Sequence, residues 1–182
     1  MIAAVSTGIE NFALATVATG DPAPHASLIA SDFISRTSAR KPLRVRLPQN
    51  LPHATTVALM KAVQCLSHLR QLEPGWDGGS AEVLTDDACE TAIRLLVLLA
   101  IPAPPTVQLV PLTDGGVQLE WHVGGNDVEI EVDPIGEVHA FISVSDGSVV
   151  LNRELPPSLI PLIIPIIKRH LLSMSRSLSK RT

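Results

Sequence analysis

The stretch Asp114-Gly115-Gly116-Val117-Gln118-Leu119-Glu120-Trp121-His122-Val123-Gly124-Gly125-Asn126-Asp127-Val128-Glu129-Ile130-Glu131-Val132 constrains the fold more than any other part of the chain. Apolar and polar residues alternate on both sides of Gly124-Gly125-Asn126. A period of two is that of a strand with one buried face. A Gly/Asn break between two such runs is a hairpin turn. Val117, Leu119, Trp121 and Val123 are therefore expected to share a buried face with Val128, Ile130 and Val132. Gln118, Glu120, His122, Glu129 and Glu131 fall on the other face. For a two-residue turn, the expected register sets His122 opposite Glu129 and Glu120 opposite Glu131.

Further strands are expected at about 106–112, 137–144 and 148–151, separated by Pro134-Ile135-Gly136 and Ser145-Asp146-Gly147. Connections this short join antiparallel neighbours, so the simplest order is a meander. Two helices precede the sheet. Leu59, Ala62, Val63, Leu66 and Leu69 form a stripe at helical spacing over about 55–72, stopped by Glu73-Pro74-Gly75. Thr85 is an N-cap with Asp86 and Asp87 in the first turn of a helix over about 85–100. That helix is apolar on several faces, through Ile93, Val97 and Leu98, and is expected to be well buried. Between the two, Gly75-Trp76-Asp77-Gly78-Gly79 makes a tight turn, with Asp77 accepting turn hydrogen bonds and Trp76 clamped between helices and sheet. Trp76, Asp77, Gly78 and Trp121 are thus read as structural. The expected fold class is α+β: a two-layer sandwich, an antiparallel meander of four to five strands packed against two or three helices.

The ends are less regular. Residues 1–50 are rich in Ala, Ser, Thr and Pro and carry few large apolar side chains, so they are expected to be a mostly disordered leader. Within the leader, Leu43, Val45 and Leu47 alternate with Arg44 and Arg46 in a short basic, strand-like pattern. It is read either as solvated linker or as a segment that orders on a partner. Near the other end, Pro161 and Pro165 would each cost a helix interior about 3 kcal/mol. An irregular beginning is expected there, followed by a helix over about 163–173. The domains expected are the leader 1–50, one α+β domain 51–175 and a loose basic tail 176–182.

Composition removes several functions. A chain of 182 residues supports one ordinary core. With 3% aromatic residues and no Tyr, that core must be aliphatic. A net charge of −4 offers no basic field, so no nucleic acid is expected. Two cysteines in no paired motif make no disulfide framework and fit a reducing cytoplasm. The N-terminus lacks the positive region of a signal peptide. The longest uncharged apolar run, Leu155 to Ile167, is too short to span a bilayer. Cys65 and His68 form half of a zinc motif at most, and Glu120, His122, Glu129, Glu131 and His139 match no fixed ligand spacing. No metal, no cofactor and no catalytic residue is assigned. Neither G-x-S-x-G nor H-E-x-x-H occurs.

Gly75-Trp76-Asp77-Gly78 with Ala81, a helix, Gly115-Gly116-Val117-Gln118-Leu119-Glu120-Trp121, then Val128-Glu129-Ile130-Glu131-Val132 and Gly136 form an ordered set. In order and spacing, residues about 72–140 resemble an uncharacterised bacterial family with a Gly-Trp-Asp-Gly segment, a helix and a Gly-Gly-Val-x-Leu-Glu-Trp hairpin. Gly79-Ser80 departs from it, standing where that pattern has an aromatic residue and a Gly. The resemblance implies no activity and carries over no binding residue.

The function expected is therefore a non-catalytic protein-binding module, of antitoxin-like, immunity-like or scaffolding type. Its binding residues would be Glu120, His122, Glu129 and Glu131 on the sheet, with Arg44 and Arg46 in the leader. One alternative is an enzyme or metal-binding protein using the Glu/His face. Another is association with a membrane surface through the Pro-rich apolar run near the C-terminus, ranked behind a protein interface. Partner identity and oligomeric state are not encoded in any motif.

Overall fold

The computed structural model of the chain describes residue 43 and residues 45–180. Two helices come first, α1 (His53–Leu69) and α2 (Asp86–Leu98). Five strands follow: β1 (Gln108–Pro111), β2 (Val117–Val123), β3 (Asn126–Val132), β4 (Val138–Ser143) and β5 (Val149–Glu154). A third helix, α3 (Ile160–Ser179), comes last. The sheet runs β1-β2-β3-β4-β5, with every neighbouring pair antiparallel. The fold is the expected α+β sandwich: a meander sheet on one layer, helices on the other.

The alternation read in β2 and β3 sets the inside of the sheet. Val117, Leu119 and Trp121 of β2 are buried, as are Val128, Ile130 and Val132 of β3 and Val138, Ala140 and Ile142 of β4. Trp121 is 4% exposed, so the large ring lies under the helices and the glutamates point away from them. Leu59, Ala62, Val63 and Leu66 of α1 close one side of the core. On α2 the buried arc comprises Ala88, Cys89, Ala92, Ile93, Leu95 and Leu96. Contrary to expectation, Leu98 is exposed, because it lies on the outward side of α2 while Leu95, Leu96 and Leu99 around it face the core.

The register differs by two residues from the one expected. Val123 pairs with Asn126, so the turn is Gly124-Gly125 alone and Asn126 belongs to β3. Glu120 therefore faces Glu129, Gln118 faces Glu131 and His122 faces Asp127.

Thr85 holds the two layers together at one end. Its hydroxyl accepts from the amide of Ala88 at 3.1 Å, capping α2, and donates to the carbonyl of Pro134 at 2.7 Å, in the turn between β3 and β4. The amides of Glu82 and Thr85 donate to the carbonyls of Thr113 and Gly115, binding this entry segment to the turn between β1 and β2. At Gly116 a Cβ would sit 2.6 Å from the carbonyl oxygen of Val132, so only glycine lets the strands approach there. The Gly75–Ala81 loop closes on itself. Asp77 accepts from the amides of Gly79 and Ala81, as expected of a turn aspartate, and Gly78 takes φ +83°. Trp76 is not clamped between helices and sheet. It is half-buried on its own loop, with the indole N–H donating to the carbonyl of Glu82 at 3.1 Å.

Both ends depart from the expected boundaries. Leu43 and Val45 are 8% and 7% exposed and belong to the core, whereas the sequence predicts a domain beginning at residue 51. They line a groove of about 800 Å³ with Ile93, Val97 and Leu98 of α2. The alternation of residues 43–47 does put its apolar members inward, but against a helix and without pairing to the sheet. At the other end α3 begins earlier and ends later than expected. Pro161 sits in its first turn, where a missing N–H removes no helical bond. Pro165 lies within the helix on an exposed face, so the carbonyl it leaves unpaired is open to water. Residues 173–179 are helical because Met174 is buried and the Ser175 hydroxyl donates to the carbonyl of Ala103 at 2.7 Å, docking the last turns on the α2–β1 connection.

Candidate functional site: the outer face of the sheet

The same alternation that buries Trp121 turns a row of polar residues outward on each strand. β2 contributes Gln118, Glu120 and His122, and β3 contributes Asp127, Glu129 and Glu131. β4 adds His139, Phe141 and Ser143, and β5 adds Asn152 and Glu154 through its pairing with β4. Five carboxylates thus share one face: Glu120, Asp127, Glu129, Glu131 and Glu154. No Lys or Arg of the strands stands with them, since the one such residue in the five strands, Arg153, is opposite the inward-facing Ala140.

His122 organises the centre. Its Nδ1 lies 2.9 Å from Asp127 Oδ1 and its Nε2 lies 3.1 Å from Glu120 Oε2. Only the protonated imidazole has an N–H for both carboxylates; a neutral ring would turn a lone pair toward one of them. The hydrogen bond to Asp127, and after it the one to Glu120, accordingly holds the His122 pKa above its ordinary value against a small opposing effect of burial. Asp127 is held below the usual carboxylate range, first by His122 and then by the Ser143 hydroxyl, which donates to Oδ2 at 2.8 Å. Glu120 and Glu129, directly opposed, would repel by a few tenths of a kcal/mol. The Gln118 amide partly offsets this by donating to Glu129 Oε2 at 3.1 Å.

Of the residues expected at a binding surface, Glu120, His122, Glu129 and Glu131 are brought together here. Arg46 is not among them: it lines the groove over α2, on the helical side. Arg44 lies outside the described residues. Asp127 and Ser143 are two members of the surface that the sequence reading misses. Asp127 is legible by parity, since a strand with Val128 inward must turn residue 127 outward. Ser143 carries no local signal.

Among the described residues no group of three His, Cys, Asp or Glu side chains is arranged to hold a metal ion. Cys89 is fully buried, and burial raises the pKa of Cys65, which keeps that thiol protonated and a poor nucleophile. No helix among the described residues is long and apolar enough to cross a membrane. Comparison of the chain with protein-family models, with curated proteins and with solved structures finds no match.

Proposed function

We propose that the chain is a non-catalytic protein-binding module, of antitoxin-like, immunity-like or scaffolding type, whose contact surface is the outer face of the sheet. One observation carries this reading: five carboxylates share that face with His122 and His139 and, among the described strand residues, no Lys or Arg. Clustered like charges cost stability in the free protein, and a basic surface laid over them relieves that cost. Charge of this kind steers association and selects partners by sign. The partner is accordingly a protein with a basic, shallow surface able to lie against a sheet.

The test is a comparison of baits in extract from the native cells. The wild-type chain retains a stoichiometric basic protein at low salt and releases it as salt rises. The double variant Glu129→Lys/Glu131→Lys loses that protein, while Glu73→Lys, in the exposed loop after α1, keeps it. Recovery of no stoichiometric protein, or equal retention by both variants, refutes the reading.

A further inference from the structure

The outward side of α3 is a second surface, unlike the sheet face in both charge and polarity. Every residue from Leu159 to Ile167 is apolar. Only one side of that run meets the core: Ile164 and Ile167 are buried, and α3 packs on β2 and β3. On the other side Pro161, Leu162, Pro165 and Ile166 are exposed, Leu162 by 67% and Ile166 by 40%. They stand at i, i+1, i+4 and i+5 and so form one patch on the helix. A helix that is apolar all round is ordinarily covered all round.

Positive charge continues the patch. At about 3.6 residues per turn, Arg169, Arg176 and Lys180 fall within the arc that those four residues span, and all three are exposed. No carboxylate opposes them. From Leu155 to Thr182 the sequence holds five Lys or Arg and no Asp or Glu, although the whole chain is at −4. The acidic residues are on other elements, so the local field along this helix is positive.

We infer that α3 lays this face on an anionic lipid surface. Pro161, Leu162, Pro165 and Ile166 enter the boundary between headgroups and acyl chains, and Arg169, Arg176 and Lys180 meet the anionic headgroups. The helix lies in the plane of the membrane and does not cross it. The chemistry selects this occupant. The face asks for hydrocarbon beside negative charge, which an anionic bilayer supplies over its whole area and with no fixed shape to match. The four apolar side chains offer a protein partner no hydrogen bond to read. Because the buried side of α3 faces the sheet, lipid contact also turns the acidic sheet face away from the like-charged membrane. That face stays open to the protein partner proposed for it, and the two readings stand or fall separately.

Flotation of the full chain tests it, with vesicles of phosphatidylcholine alone and of phosphatidylcholine mixed with phosphatidylserine. The chain is expected to float with the mixed vesicles at low salt, to stay behind with phosphatidylcholine alone, and to leave the mixed vesicles as salt rises. Leu162→Ser/Ile166→Ser should weaken binding by about tenfold or more, the worth of burying a large aliphatic side chain. Arg169→Gln/Arg176→Gln should weaken it by about tenfold or more, at about fivefold for each charge near an anionic surface. The arginine variant keeps the test open should the serine variant fail to fold. Val149→Ser, which removes an exposed apolar side chain from β5, should leave binding unchanged. The inference is overturned if the wild type does not float, if it floats equally with both kinds of vesicle, or if a folded double variant floats as well as the wild type. It is also overturned if sedimentation equilibrium without lipid shows a dimer that Leu162→Ser/Ile166→Ser dissolves, for the face would then belong to a second copy of the chain.

Discussion

His122 and Asp127 stand directly opposite each other across β2 and β3, with Nδ1 2.9 Å from Oδ1. This pair exists because the two-residue turn is Gly124-Gly125. The same turn one residue later, at Gly125-Asn126, would have set His122 against Glu129 and Gly124 against Asp127. The pairing also joins two strands to a third, since Asp127 takes the Ser143 hydroxyl on its other oxygen.

The pair makes stability depend on pH in two windows. His122 has a folded pKa raised above its unfolded value of about 6.5. Its contribution is fully present below that pH and is lost as pH rises through the folded pKa. Asp127 is shifted down, so its contribution is present above about pH 3.9 and is lost as pH falls through its folded pKa. Both side chains are more than a third exposed, at 40% and 35%, so solvent screens the effect. NMR titration should place His122 above its ordinary value, and Asp127→Asn should lower it. A His122 pKa at or below the ordinary value in the wild type contradicts the geometry.

Thr85→Ala removes the acceptor of the Ala88 amide and the donor to Pro134 together. The loss of an N-cap costs about 1 kcal/mol, and the second bond adds to it. Thr85→Ser, which retains the hydroxyl, should recover most of the difference. Urea denaturation of the three proteins checks this; equal midpoints for Ala and Ser refute it.

Two glycines separate backbone strain from steric exclusion. Gly78 has φ +83° and open space where a methyl group would stand, so Gly78→Ala carries only the left-handed penalty of about 1 kcal/mol. Gly116→Ala drives a Cβ to 2.6 Å from the backbone oxygen of Val132 and forces β2 and β3 apart. It should cost clearly more than Gly78→Ala in chemical denaturation, and the order of the two is the test.

Leu43→Ala should destabilise the domain by about 2 kcal/mol, the low end for deletion of a buried leucine side chain. Arg46→Ala, exposed beside it, should change stability by less than about 0.5 kcal/mol. Thermal unfolding distinguishes them. Equal, negligible effects would mean that the segment does not belong to the core.

The sheet is readable from sequence because β2 and β3 each bury one face only, so burial is written into every second residue. Its register is not, because Asn126 suits a turn as well as a strand start, and assigning it to the turn moves every partner. α3 shows the opposite failure. The local penalty at Pro165 predicts a break, but Ile164, Ile167, Leu171 and Met174 recur on one side and their burial outweighs it. Leu43 and Val45 fall outside the expected domain because two apolar residues in a Ser/Thr/Arg-rich stretch carry little local signal. Their place becomes visible only once α2 stands beside them. On the candidate surface the glutamates and His122 follow from parity. Ser143 needs the third strand.

Each strand of this sheet hydrogen-bonds only to the strands just before and just after it in the chain. Assembly of the ribbon is therefore a succession of short loop closures, with little entropy lost at any one. The long-range steps are those that bring α1 and α2 back over the finished ribbon and seat α3 against the α2–β1 connection. Folding rate should accordingly respond more to substitutions at the helix–sheet contacts than to those in the turns.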